Sequence, residues 1–267
     1  MQDWDDAFSN MDHIEGSEAL PGIWAKSAAN YRNNVKIQTD ISYGPDERHA
    51  FDLVLPEKQP KGLIVFVHGG FWMRLSKDYW THYAKGARAH GWAVAIPSYT
   101  LTPKARINEI TLEIATAITI AANHVPGPIR LIGHSAGGHL VTRMVSASGP
   151  LIPSVKNRIE HTISLSGLHD LRPLMHTKMN ETLHIDEIEA ISESPVLLRP
   201  IENLRLTIWV GGGERPEFIR QSKLLHNIWT GLDANSKLVI DAEHNHFTVL
   251  EGLRDENSNL LQDLLGA

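Results

Sequence analysis

Cysteine is absent from this chain of 267 residues, and its absence excludes disulfide bonds, thiolate metal sites and a cysteine nucleophile. Positive charge is also scarce, because 25 lysines and arginines stand against 31 acidic residues and give a net charge of −6. A nucleic-acid-binding protein needs a basic surface to neutralise phosphates, so we expect no nucleic-acid partner.

Long apolar runs are missing as well. No stretch reaches the roughly 18 consecutive apolar residues of a membrane-spanning helix, so we expect no membrane association. The first residues, Met1-Gln2-Asp3-Trp4-Asp5-Asp6, are acidic and are not followed by an apolar stretch, which is unlike a signal peptide. These absences predict a cytoplasmic protein, and a homodimer is the oligomer expected by default.

Short apolar runs alternate with amphipathic segments from about residue 62 onward. Uninterrupted apolar runs such as Leu63–Val67 are typical of strands buried on both faces of a parallel sheet. The predicted strands are Val35–Ile41, Ala50–Leu55, Leu63–Val67, Trp92–Ile96, Ile129–Ile132, Thr162–Leu165, Leu206–Val210 and Leu238–Ile240. The first two flank a Gly-Pro-Asp turn, which favours an antiparallel pair.

Helical spacing of apolar residues fills the intervals between these strands. The predicted helices are Trp24–Tyr31, Ser76–His90, Ile107–His124, Ala136–Ser146, Pro216–Trp229 and Thr248–Leu265. The alternation predicts one α/β domain over 1–267, in which a mostly parallel eight-stranded sheet carries helices on both faces. Residues 1–32 are a polar lead-in, and 171–201 are long enough to form a small cap or lid.

The segment Gly133-His134-Ser135-Ala136-Gly137 has the form G-x-S-x-G. It follows a predicted buried strand and precedes a predicted helix, which is the context of a nucleophile elbow. A serine on so tight a turn needs small neighbours two residues away, and both are glycine. Ser135 is therefore the predicted nucleophile.

A second glycine-containing segment, His68-Gly69-Gly70-Phe71-Trp72, follows the predicted strand Leu63–Val67. An H-G-G segment in this place supplies backbone amides to an oxyanion hole. The predicted donors are the amides of Gly70, Phe71 and Ala136. His68, Gly69, Trp72 and His134 are the predicted substrate-binding neighbours, although His68 also fits a role in bracing the loop.

A general base and an acid should follow the last two strands, in the order Ser, Asp/Glu, His. Two histidines, His244 and His246, follow Leu238–Ile240, and we prefer His246. Glu214 follows three glycines after the strand Leu206–Val210 and is the preferred acid, with Glu217 and Asp170 as its rivals. The acid would hold the imidazole in the correct tautomer.

The pair His244-x-His246 also has the spacing of metal ligands. A catalytic zinc site uses three protein ligands, and no third ligand is evident in the sequence. We therefore expect neither a metal nor a cofactor.

These segments together resemble the arylformamidase (kynurenine formamidase) group of the α/β-hydrolase superfamily. The resemblance covers roughly residues 40–250 in the correct order. Besides the two glycine-containing segments, the following segments carry it: Tyr43-Gly44-Pro45, Phe51-Asp52-Leu53, Gly167-Leu168-His169-Asp170, Gly211-Gly212-Gly213-Glu214, Glu217-Phe218 and Asn245-His246-Phe247. Many relatives have aspartate at the acid position, so Glu214 is a departure from the pattern.

The resemblance implies a serine hydrolase that cleaves a carbonyl C–N or C–O bond through an acyl- or formyl-enzyme, with Ser135, His246 and Glu214 as the triad. Its implied substrates are N-formyl aryl amides such as N-formylkynurenine. An alternative is a carboxylesterase or thioesterase acting on small acyl groups, because similar bacterial proteins are loosely described in that way. A catalytically inactive binding module is a third hypothesis, which the intact set of three residues opposes. Phe71, Trp72 and side chains from 171–201 are expected to shape an apolar pocket.

Overall fold

A single eight-stranded sheet forms the centre of the computed structural model, which describes residues 2–266 and leaves Met1 and Ala267 outside the description. The strands are β1 (Ile37–Ser42), β2 (Ala50–Val54), β3 (Leu63–Val67), β4 (Ala93–Pro97), β5 (Ile129–His134), β6 (Ile159–Leu165), β7 (Arg205–Gly211) and β8 (Asn235–Asp241). Their spatial order is β1-β2-β4-β3-β5-β6-β7-β8. All eight predicted strands are confirmed, although several extend further than the apolar residues indicated.

Strand direction is uniform except at β2. This strand pairs antiparallel with both β1 and β4, and the remaining pairs are parallel. The predicted antiparallel pair at the start of the sheet is confirmed. Because the other strands run in one direction, the carboxyl ends of β3, β5, β6 and β7 share one edge, where ligands of such sheets bind.

Helices cover both faces of the sheet. They are α1 (Trp4–Phe8), α2 (Leu20–Arg32), α3 (Lys85–Ala89), α4 (Ile107–His124), α5 (Ala136–Met144), α6 (Pro153–Lys156), α7 (Asn180–Leu183), α8 (Glu187–Ser192), α9 (Pro216–Thr230) and α10 (Asn259–Leu265). Buried side chains of α4, α5 and α9 form one apolar layer. Those of α2, α3 and α10 form the other. Within residues 2–266, no helix combines the length and apolar character needed to cross a membrane.

The predicted helix Ser76–His90 is broken into two short 3-10 turns followed by α3. Ser76 does cap the first turn, because its side chain accepts a hydrogen bond from the Asp78 amide. Trp80 then leaves helical geometry (φ −123°, ψ −5°) and packs its ring 4.9 Å from that of Trp24. Tertiary packing of this large side chain therefore overrides the helical pattern.

The predicted helix Thr248–Leu265 is also interrupted. A 3-10 segment covers Thr248–Leu253, and α10 begins only after Ser258, whose hydroxyl accepts a hydrogen bond from the Leu261 amide at 3.1 Å. A serine in this position favours a new helix N-terminus over continuation of the previous helix.

Residues 171–201 form short helical pieces that pack into the core through Leu171, Leu174 and Leu183. A buried ion pair between Arg143 and Glu193, at 3.0 Å, fixes the end of this segment to α5. Only Met179 of the segment reaches the cavity above the sheet. The expected cap is thus a packed part of the domain with little share in the cavity wall.

Candidate active site

Strand β5 ends at His134, and helix α5 begins at Ala136, so Ser135 occupies the turn between them. Its backbone has φ 56° and ψ −118°, a conformation that costs free energy for a residue other than glycine. A Cβ atom on Gly133 would overlap the Gly137 carbonyl oxygen, and one on Gly137 would overlap the Val67 carbonyl oxygen. Both glycines are therefore sterically required, as expected for a nucleophile elbow.

Glu214 and His246 meet below the surface at the same edge of the sheet. Oε2 of Glu214 lies 2.6 Å from Nδ1 of His246, and both side chains are at least 95% buried. Nδ1 is the donor in this pair because a carboxylate only accepts, which leaves Nε2 as the nitrogen that can take a proton. This is the orientation that a general base requires.

The rivals for these two positions are engaged elsewhere. His244 is partly exposed, and its Nδ1 lies 3.3 Å from the hydroxyl of Thr248. Asp170 pairs with Arg172 at 2.8 Å, and Glu217 pairs with Arg220 at 2.7 Å. None of these three side chains lines the cavity that contains Ser135 and His246.

A cavity of about 400 Å³ opens above Ser135 and His246, and both residues line it. His134 ties the two together, because its Nε2 donates to the backbone carbonyl of His246 at 2.8 Å. Among residues 2–266, the hydrogen bonds do not include one between the Ser135 hydroxyl and His246. In unliganded enzymes such a bond is often long and tightens only when substrate binds.

The loop after β3 approaches the nucleophile closely. A Cβ atom on Gly69 would lie 2.8 Å from that of Ser135, and Gly70 and Phe71 adopt φ 115° and 52°. The amides of Gly70 and Phe71 donate no hydrogen bond within the described chain, and Ala136 is the first residue of α5. These three amides are free to face an anionic oxygen.

Two of the predicted substrate neighbours lie behind the cavity wall, which corrects the expectation for them. His68 is fully buried, its ring stacks 4.4 Å from that of Tyr99, and its Nδ1 donates to the Gly69 carbonyl at 2.7 Å. Burial lowers the pKa of His68 to about 4, so the ring is a neutral group that braces the loop.

Trp72 is also fully buried, and its ring lies edge-on to that of His139 at 5.1 Å. Gly69, Phe71 and His134 do line the cavity.

The amino-terminal segment, residues 4–24, forms most of the opposite wall of the cavity, which the sequence did not indicate. Its cavity-lining residues are Asp5, Asp6, Phe8, Ser9, Asn10, Met11, Asp12, Ser17, Pro21 and Trp24. Arg215 holds this segment: its Nε donates to the Asp6 carbonyl at 3.1 Å, its guanidinium pairs with the Asp6 carboxylate, and its amide donates to Asn10 at 3.0 Å. Arg215 directly follows Glu214, so the wall is attached beside the acid.

Ser166 is a further residue that sequence reasoning missed. It follows β6, is fully buried, and donates its hydroxyl proton to Oε1 of Glu214. The amide of Gly211 donates to the same oxygen at 2.8 Å. The only sequence signal was a serine at the end of a buried strand.

Among residues 2–266, no three histidine or carboxylate side chains are grouped so that they could hold a metal ion. His246 faces Glu214, while the side chain of His244 turns toward Thr248.

The fold is that of the α/β-hydrolases. It superposes on an esterase from Pyrobaculum calidifontis with a TM-score of 0.71 at 15% identity, covering 93% of this chain and 91% of the other. The BD-FAE family matches residues 51–194, more than half of the sequence, and the chain belongs to this family.

Individual relatives are similar over most of their length. Kynurenine formamidases from Danio rerio and Salmo salar are 29% and 28% identical, and each match covers 85% of this chain and 80% of the relative. The crystal structure of a candidate thioesterase from Silicibacter sp. TM1040 is 45% identical, covers all of both chains and has a TM-score of 0.93. The protein is thus a hydrolase that is similar to the kynurenine formamidases and to this candidate thioesterase.

Proposed function

We propose that the protein is a serine hydrolase in which Ser135, His246 and Glu214 form the catalytic triad. The observation that carries the proposal is the buried 2.6 Å contact between Glu214 and His246 at the floor of a cavity that Ser135 also lines. The Glu214 carboxylate holds the Nδ1 proton, so Nε2 of His246 can accept the proton of the Ser135 hydroxyl.

The reaction then proceeds in two half-reactions, formation of the acyl-enzyme and its hydrolysis. Ser135 Oγ forms a bond to the substrate carbonyl carbon, and the amides of Gly70, Phe71 and Ala136 stabilise the oxyanion. The C–N, C–O or C–S bond breaks as His246 returns the proton to the leaving group. Water, deprotonated by His246, next attacks the acyl-enzyme. The bond between the acyl carbon and Ser135 Oγ breaks, His246 returns the proton to Oγ, and a carboxylic acid leaves, which is formate if the acyl group is formyl.

The first candidate substrate is an N-formyl aryl amide such as N-formylkynurenine. The two kynurenine formamidases support it, because each match extends over 80% of the relative. The cavity supports it too, since Phe8, Trp24 and Phe71 offer aromatic walls for an aryl leaving group.

The second candidate is an ester or thioester with a small acyl group. It is favoured by the 45% identity to the candidate thioesterase, which covers both chains completely. The two candidates differ in the acyl half of the site, because a formyl group needs almost no space there.

A substrate panel on the purified protein tests the proposal. N-formylkynurenine, p-nitrophenyl acetate and an acetyl thioester should be compared by kcat/KM, with Ser135→Ala as the background control. A value for the ester or thioester far above that for the formamide would select the second candidate. Failure of a fluorophosphonate probe to label Ser135 would reject the serine mechanism and favour a binding module.

A further inference from the structure

The acid of the proposed triad is held from the side opposite to the base. Oε2 of Glu214 contacts His246, while Oε1 accepts hydrogen bonds from the Ser166 hydroxyl and from the Gly211 amide. The Glu214 side chain has no exposed surface, so bulk solvent does not compete for its two oxygens. Two donors on one oxygen thus determine where the other oxygen points.

A glutamate needs this restraint more than an aspartate does. Its side chain has one more rotatable bond, so a carboxylate at its end can swing away from the imidazole unless something fixes it. The Gly211 amide belongs to the backbone and would be present with either acid. The Ser166 hydroxyl is the side-chain group that restrains the longer acid.

The backbone at Ser166 supports a specific need for the hydroxyl. Ser166 has φ 54°, in the left-handed region that glycine adopts without strain. Its amide is used by the sheet, donating to the Trp209 carbonyl at 2.6 Å. A glycine would satisfy the backbone better, but it would remove the hydroxyl that donates to Glu214.

We propose that Ser166 is a positioning residue, which orients the Glu214 carboxylate toward His246 and thereby sets the rate of the chemical step. This inference rests on the proposed function, since it needs Glu214 to be the triad acid. Ser166 does not line the cavity, so it acts through Glu214 and not on the substrate.

The test is a double-mutant cycle of Ser166→Ala and Glu214→Ala, measured as kcat and KM on the best substrate of the panel. Loss of one hydrogen bond to a buried charged group predicts a fall in kcat of about 10- to 100-fold for Ser166→Ala, with KM unchanged. In the Glu214→Ala background the same change should cost less than about twofold, because its target is gone.

Ser164→Ala is the matched control. Ser164 lies two residues earlier, is equally buried, and its hydroxyl contacts His169 at 3.1 Å instead of Glu214. The Ser164→Ala variant should keep its kcat within about twofold of the wild-type value. Ser166→Gly is the second variant, because it removes the hydroxyl while relieving the backbone; it should match Ser166→Ala in kcat and equal or exceed it in thermal midpoint.

The outcomes separate the two proposals. Wild-type kcat in Ser166→Ala and Ser166→Gly beside a strongly lowered kcat in Glu214→Ala would overturn the inference and leave the triad intact. An equal loss from Ser166→Ala in both backgrounds would also overturn it, by showing a purely structural role. Wild-type kcat in Glu214→Ala would reject the triad acid and the inference together.

Discussion

At the scale of single residues, the backbone of Ser135 has the most direct bearing on reactivity. The turn holds the serine at the amino terminus of α5, where the first amides of the helix favour developing negative charge. The glycines on either side permit this turn because the Val67 and Gly137 carbonyls leave no room for a side chain.

Ser135→Ala should lower kcat by roughly 10⁴ to 10⁶, because it removes the proposed nucleophile while the cavity and the amides of the proposed oxyanion hole stay in place. Steady-state kinetics and a thermal melt of the same sample check this, with unchanged melting showing that the fold is intact. A variant that keeps near-normal turnover would rule out Ser135 as the nucleophile.

The two histidines after β8 should behave very differently. His246→Ala removes the group that contacts Glu214 and should lower kcat by roughly 10⁴ or more. His244→Ala alters a partly exposed side chain outside the cavity and should change kcat by less than about threefold. The kinetics of both variants decide the assignment, and the reverse pattern would transfer the base to His244.

At the scale of elements, the amino-terminal segment and the loop after β7 act as one unit. Asp6 carries much of the link, since it pairs with both Arg215 and His13. These partners hold the pKa of the Asp6 carboxyl below its ordinary value, His13 through a hydrogen bond above all. The carboxylate is therefore charged at neutral pH and available to Arg215.

Arg215→Ala should loosen this wall and weaken the binding of substrates with large aryl leaving groups. We expect KM for an aryl substrate to rise by roughly tenfold, while kcat falls less, because the side chain of Arg215 bonds to Asp6 and not to Ser135 or His246. Arg254→Ala is the control. Arg254 forms a surface ion pair with Glu251 at 2.7 Å, and neither residue lines the cavity. Equal KM values in both variants would contradict a role for the segment in substrate binding.

Elements differed in how far the sequence predicted them. The strand Leu63–Val67 and the helix Ile107–His124 were predicted with their observed bounds, because an unbroken apolar run and a helical apolar stripe are local signals. The break at Trp80 was not predicted. The ring leaves the helix to reach Trp24, a partner about 56 residues away in the chain, and no local pattern indicates that contact.

The same distinction applies to the site. Ser135, Glu214 and His246 each follow a predicted strand, so the common edge of the sheet brings them together. The cavity wall of residues 4–24 depends on a contact between Asp6 and Arg215, and no periodicity in either segment indicates that pairing. Trp72 was misplaced because an aromatic residue beside a predicted loop fits a pocket and a core equally well.

At the scale of the whole molecule, buried histidines link stability to pH. Burial is the largest cause of a lowered pKa in each of six described histidines. The pKa falls to about 4 in His68, His82, His139 and His161, to about 3 in His169, and well below the ordinary value in His134. The folded protein keeps these rings neutral, whereas the unfolded chain protonates them near pH 6.5.

The free energy of unfolding should therefore fall as the pH is lowered from about 6.5 toward 4, because the unfolded state binds more protons in this window. Each such histidine contributes a slope of up to about 1.4 kcal/mol per pH unit. Urea unfolding at pH 7, 5.5 and 4.5 measures the slope, and His169→Gln should make it shallower. Constant stability across this range would contradict the neutral state of these rings.

The attachment of residues 4–24 beside Glu214 has a practical meaning for anyone who expresses the protein. An affinity tag placed directly before Trp4 would lie within a few residues of the cavity mouth, where it would compete with substrate or displace the wall. Removal of residues 4–24 would take Phe8 and Trp24 out of the two apolar clusters in which they pack, and it would open the cavity on that side.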